Sequence, residues 1–140
     1  MATATVADLR DLEYEATRAM DFGGARYLHV LVPCPLGWGS SPADTIKVAR
    51  LATECGLFPV FEAETGQVVS STPIRHRMPV TDYLRIQARY AHLFRPAERT
   101  EIIAKLQAAA DRNIARFDLS PERPRLPAPA TPATLGGQRS

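Results

Sequence analysis

The stretch Arg26-Tyr27-Leu28-His29-Val30-Leu31-Val32 constrains the fold most. It is a run of large apolar and β-branched residues bounded by Gly23-Gly24 on one side and Pro33-Cys34-Pro35-Leu36-Gly37-Trp38-Gly39 on the other. A strand is the natural reading, covered on both faces as in a parallel sheet. The residues around it fit a β-α-β unit. Ala2–Val6 alternates Thr with apolar residues as a short strand does, and Asp8 offers an N-cap. Leu9, Leu12, Ala16, Ala19 and Met20 then recur at helical spacing. Beyond the proline loop, Ser41-Pro42-Ala43-Asp44 carries the cap and first-turn proline of a second helix, which runs to about Cys55-Gly56.

Leu57–Glu64 reads as a third strand, turning at Thr65-Gly66 into a hairpin partner, Gln67–Ser71, with Glu62 and Glu64 on one sheet face. Tyr83, Ile86, Tyr90 and Phe94 make one helical stripe, and Pro96 restarts a longer helix with the stripe Ile103, Leu106, Ala110, Ile114 and Phe117. This order predicts an α/β fold with a small, mainly parallel sheet, flanking helices and a helical C-terminal section. Residues 1–118 are expected to form a single domain. Residues 119–140, with five prolines and little to bury, are expected to be a disordered tail. The second helix is apolar at Ile46, Val48, Ala49, Leu51, Ala52 and Cys55, more than one face, and so demands cover on several sides.

Length and charge narrow the function classes. A chain of 140 residues has room for one domain. The formal charge of +2 is too small to imply nucleic acid. It is unevenly spread: residues 1–64 hold five basic and nine acidic groups, residues 65–118 nine and five. Arg75, His76, Arg77, Arg85, Arg89, Arg95 and Arg99 read as a solvated face or a subunit interface, since no nucleic-acid motif accompanies them. The first residues carry neither a basic region nor an apolar run, no stretch is long enough to span a bilayer, and two cysteines make no disulfide framework; a cytoplasmic protein without membrane contact is expected.

Cys34 is the residue of greatest chemical interest. It stands between two prolines, just past a strand and before a helix, where open α/β sheets place ligands. A thiolate there suits a soft metal or an iron–sulfur cluster. A small buried hydrophobe is the competing reading, and the pattern alone favours it. The remaining polar residues suggest structure. His29 reads as a hydrogen-bonded sheet residue, Trp38 as packing under its loop, Ser40-Ser41 as helix capping, and the scattered histidines do not have zinc spacing.

Two blocks carry a family resemblance. His29-Val30-Leu31-x-Pro33-Cys34-Pro35-x-Gly37-Trp38, followed by Ala49-Arg50-Leu51-Ala52 and Gly56-Leu57-Phe58-Pro59-Val60-Phe61-Glu62, resembles the C-terminal part of the β subunit of 2-oxoacid:ferredoxin oxidoreductases such as pyruvate synthase. Pro79-Val80-x-x-Tyr83-Leu84-x-x-Gln87-x-Arg89-Tyr90-x-His92-Leu93 resembles the helical segment near the end of that subunit, and Ala2-Thr3-Ala4 the strand before the first helix. The similarity covers about residues 2–117.

The resemblance implies the C-terminal part of a thiamine diphosphate-binding fold. The complete enzyme would hold thiamine diphosphate, Mg2+ and a 4Fe-4S cluster, and would decarboxylate a 2-oxoacid oxidatively to an acyl-CoA with ferredoxin as electron acceptor. Cys34 matches the family's last cluster-ligating cysteine and is thereby the implied cofactor-binding and metal-ligating residue. The other three cluster cysteines and the Gly-Asp-Gly…Asn signature are absent from these residues. The chain alone is therefore expected to be inactive and to bind none of these groups. The expected partners are other oxidoreductase subunits in a hetero-oligomer, with ferredoxin, CoA and a 2-oxoacid at the level of the complex. A non-catalytic interaction module, or a remnant docking on partner subunits, is the alternative.

Overall fold

The computed structural model describes residues Met1–Pro121. Strand β1 (Ala2–Thr5) leads through helix α1 (Leu9–Asp21) to β2 (Leu28–Leu31). A one-turn helix α2 (Pro35–Trp38), a 3-10 turn (Pro42–Asp44) and helix α3 (Thr45–Glu54) follow. The hairpin β3 (Phe61–Glu64) and β4 (Gln67–Ser71) comes next. Helix α4 (Val80–Arg85), a 3-10 segment (Ala88–Leu93) and helix α5 (Thr100–Arg116) complete the elements among the described residues. The expected tail lies outside the described residues from 122 onward. Leu119, at its start, is buried, and its carbonyl accepts the amide of Ile74 at 2.9 Å.

The four strands form one sheet in the order β2-β1-β3-β4. The β1-α1-β2 unit is parallel, as expected, pairing Ala2 with Leu28 through Thr5 with Leu31. β3 runs antiparallel to β1, and β4 antiparallel to β3. The sheet is therefore mixed rather than mainly parallel. The reason lies in α3. A crossover helix that returns the chain parallel must pack on the sheet. The apolar faces of α3 instead meet other helices: Val48, Leu51, Ala52 and Cys55 pack with Val80, Tyr83, Leu84, Leu93, Ile103 and Ala110. Leu57–Val60 is spent turning back toward the sheet, so β3 is only four residues long. α4 and α5 cover Val48, Leu51, Ala52 and Cys55 of α3, while Ile46, also counted in its apolar breadth, remains exposed.

Local chemistry explains the element ends. Asp8 caps α1 by accepting the amide of Asp11 at 3.1 Å. The β3–β4 turn has positive φ at both Thr65 (49°) and Gly66 (84°), the backbone of a tight hairpin. Gly56 ends α3 at φ 82°, where a Cβ would stand 2.7 Å from Ile114 Cγ1, so close approach of α5 requires glycine here. A side chain bridges β1 to the start of β3: the Thr3 hydroxyl donates to the carbonyl of Pro59 at 2.8 Å and accepts the amide of Phe61 at 2.9 Å.

The helical stripes are only partly as expected. Leu9 and Met20 are largely exposed, while Glu15 is the one residue of α1 classed as buried, at 5% exposure. The Tyr83–Phe94 stripe is not one helix. α4 ends at Arg85, and the chain continues as the 3-10 segment, with Tyr83 and Leu93 buried and Ile86, Tyr90 and Phe94 packed around them. On α5, Ile103 and Ala110 are buried and Leu106 packs on the core, as the spacing indicates. β2 is not covered on both faces: it is an edge strand, and His29 is exposed.

Candidate functional site: the Cys34 loop and its brace

The loop after β2 is built around Cys34. Pro33 is buried and anchors its start. Cys34 occupies the N-cap of α2, its Sγ accepting the amide of Gly37 at 3.5 Å and its carbonyl the amide of Trp38 at 2.9 Å. The thiol is exposed, so the reading of Cys34 as a buried hydrophobe is overturned. Cys55 is the buried cysteine. Its Sγ donates to the carbonyl of Ala52 at 3.5 Å, and burial pushes its thiol up to about 11. Gly39 closes the loop at φ 65°.

The second half of the site comes from residues about 50 positions later. The carbonyl of Gly39 accepts the amide of Ala88 at 3.0 Å, and a Cβ on Gly39 would lie 2.6 Å from that of Ala88. Beside this contact the Arg89 guanidinium lies 3.8 Å from the centre of the Trp38 ring and 4.7 Å from that of Tyr90. It also donates to Gln87 Oε1 at 2.9 Å and to the Tyr83 hydroxyl at 3.1 Å. Gln87 is buried and donates in turn to the carbonyl of Tyr83. Burial raises the Tyr83 phenol above its usual range, so it stays a neutral acceptor for Arg89. Trp38 thus packs under its loop as expected, with Arg89 as the brace.

The other arginines divide. Arg77 pairs with Asp111, and Arg85 with Glu98 at 2.7 Å while stacking on Phe94. Arg75, Arg95 and Arg99 are exposed. His29 makes an edge-on contact with Phe58, ring centres 5.4 Å apart. Ser41 precedes the 3-10 turn without a side-chain cap, contrary to expectation. Among the described residues, no three His, Cys, Asp or Glu side chains gather into a metal-sized site, and no helix is long and apolar enough to cross a membrane.

One polar cluster was not anticipated. Glu62 and Glu64, side by side on β3 as expected, are both gripped by Arg18 of α1, the second at 2.5 Å. Glu15, one turn earlier, is pressed against Glu62. Burial foremost, and then the charges of Glu62 and Asp11, push its carboxyl up to about 7. The signal was present in the sequence: position 15 falls on the stripe Leu12, Ala16, Ala19, so a carboxylate was aimed inward. A separate cleft of about 260 Å³ mixes Asp8, Asp11 and Glu54 with Arg50, Arg75 and His76. Cys34 does not line it.

No family model matches the chain. Among curated proteins, it is 38% identical over 119 residues to pyruvate synthase subunit PorB of Methanosarcina barkeri, a match covering 85% of this chain and 40% of that subunit. It is 39% identical over 93 residues to PorB of Methanocaldococcus jannaschii, covering 66% of this chain and 31% of the relative. Ketoisovalerate oxidoreductase subunit VorB of Pyrococcus abyssi is 31% identical over 106 residues, with 74% and 33% covered. The chain thus spans about two fifths or less of the length of these relatives. Over the residues that match, it belongs to the PorB family of oxidoreductase subunits and represents the C-terminal part of such a subunit.

Proposed function

We propose that this chain supplies the C-terminal part of the β subunit of a cytoplasmic 2-oxoacid:ferredoxin oxidoreductase, with pyruvate as the 2-oxoacid. Together with partner chains it takes part in oxidative decarboxylation: the 2-oxoacid and CoA give acyl-CoA and CO2, and the electrons pass to ferredoxin. One observation carries this reading. The two blocks on which the family resemblance rests, around Cys34 and around Arg89, form a single unit through the Gly39–Ala88 and Trp38–Arg89 contacts.

The chain's own residues do not fit a complete cofactor site. A four-iron cluster takes about four thiolates. This chain has two cysteines, and Cys55 is sealed in the helical core with its thiol held protonated. Residues matching the family's thiamine diphosphate signature are likewise missing. No chemical step is therefore assigned to the chain. What it offers is one exposed thiol on a braced loop, a single ligand to a cluster whose remaining ligands come from elsewhere in the enzyme.

The test is anaerobic reconstitution with the rest of the oxidoreductase, followed by iron analysis and electron transfer to ferredoxin. Cys34→Ser should lower the iron content and the electron transfer while leaving chain association intact, and Cys55→Ala should leave iron unchanged. Equal iron and equal electron transfer in Cys34→Ser would refute the ligand assignment. A chain that associates but never supports activity would leave the non-catalytic docking module as the better account.

A further inference from the structure

The cleft of about 260 Å³ lies between the start of α1, the last turn of α3 and the residues that follow β4. Its walls are apolar at Phe58, Val60, Ile74 and Leu119, and its charges come in both signs. Glu54, Arg50 and Arg75 make no ion pair among the described residues. Arg50 and Glu54 stand one turn apart on α3, a spacing at which opposite charges can meet, and still they do not pair. Charges of both signs left open beside an apolar wall are complementary to a ligand that carries both signs and an apolar group of its own.

The chain delivers such a segment to the cleft. Asp118, at φ 50°, turns the backbone out of α5. Leu119 is then fixed in place: its amide donates to the carbonyl of Ile114 at 3.0 Å, its carbonyl accepts the amide of Ile74 at 2.9 Å, and its side chain is buried. Leu119 lines the cleft, and the described residues end two positions later at Pro121. The sequence continues Glu122-Arg123-Pro124-Arg125-Leu126-Pro127, with both charge signs and one large apolar residue. The six residues from Leu119 to Arg125 can span up to about 20 Å, so the cleft is within reach without any change in the fold. We propose that residues 122–127 of this chain dock in the cleft, Arg123 meeting the Glu54 carboxylate, Glu122 the Arg75 guanidinium, and Leu126 the apolar wall. Ion pairs at a surface are weak one by one, but a tether of a few residues holds the segment at a high effective concentration, and a proline-rich sequence gives up little backbone freedom on docking. The contact is internal to the chain and independent of any assembly the chain joins. It ties α1, α3 and the residues after β4 together across the cleft.

The experiment is timed trypsin digestion of the full chain, read by mass spectrometry at the peptide bond after Arg125, with synthetic peptides of residues 119–140 carrying the same substitutions as references. Cleavage there should be about tenfold slower in the chain than in its peptide, as a docked population of about nine tenths would give. Glu54→Lys, which places a cation where the C-terminal turn of α3 favours one, and Arg123→Glu should each bring cleavage to the rate of the matching peptide. Combining the two reverses the pair and should recover most of the protection. Alkylation of Cys55 that stays blocked shows that a variant is folded; should Glu54→Lys fail that check, Arg75→Glu with Glu122→Arg serves as the reversed pair. Wild-type cleavage at the peptide's rate overturns the proposal, and so does protection that Arg123→Glu leaves intact. Protection that grows with chain concentration, the mark of a second copy's segment in the cleft, overturns it as well.

Discussion

Glu15 makes the stability of this protein fall as pH rises through neutrality, and the size of the effect follows from its surroundings. In the fold its carboxyl keeps its proton up to a pH of about 7, because burial and then the neighbouring Glu62 and Asp11 charges disfavour ionisation; in the unfolded chain it gives the proton up near its ordinary value of 4.5. Between these values the folded state binds more protons than the unfolded state, so stability is full below about pH 4.5 and is lost as pH climbs through 7. At 1.36 kcal/mol per unit the ceiling is about 3 kcal/mol. Arg18 beside the pair and residual hydration cut this to about 1–2 kcal/mol. Glu15→Gln keeps the shape and a donor toward Glu62 while removing the ionisation. Urea unfolding at pH 5 and pH 8 should show the wild type weaker at pH 8, with the Gln variant losing most of that difference. A wild-type stability that is flat across this range, or a Gln variant with an undiminished slope, would refute the account.

Three further outcomes are expected. Arg89→Ala removes the stack on Trp38 and the hydrogen bonds to Gln87 and Tyr83, costing about 1–3 kcal/mol; the chain's single tryptophan should report a looser loop by fluorescence quenching, and Arg89→Lys should restore little of the stack. Gly56→Ala meets Ile114 at 2.7 Å and forces a positive φ, so a loss of about 2–3 kcal/mol should appear in thermal melts. Alkylation of the native chain should modify Cys34 rapidly and Cys55 only after unfolding, as mass spectrometry of timed samples would show.

Periodicity located nearly every element, because each stripe or alternation is a local property. The β1-α1-β2 unit, the Thr65-Gly66 hairpin and the buried stripe of α5 were legible for that reason. Sheet polarity was not. It depends on whether α3 packs on the strands or on α4 and α5, a choice made by side chains as far apart in sequence as Val48 and Ala110. The apolar breadth of α3 signalled that cover was needed without saying from where. At the candidate site, the Pro-Cys-Pro sequence marked the loop, and its exposed thiol contradicts the usual burial of free cysteine because the N-cap position holds Cys34 at the surface. In the sequence Arg89 is one of a basic group. Its role became visible only when the 3-10 segment replaced a continued helix and turned the guanidinium over Trp38.

The contact between Gly39 and Ala88 has an evolutionary consequence. With 2.6 Å between a would-be Cβ at position 39 and the methyl of Ala88, a side chain at position 39 requires Ala88 to give way as well as tolerance of the positive φ, and the adjoining Trp38 and Arg89 must be exchanged as a pair to keep their stack. Selection therefore acts on these four positions jointly. Among descendants of a common ancestor they should covary as one character, and a mutational library that randomises positions 38, 39, 88 and 89 should recover functional combinations in which both halves change, or neither.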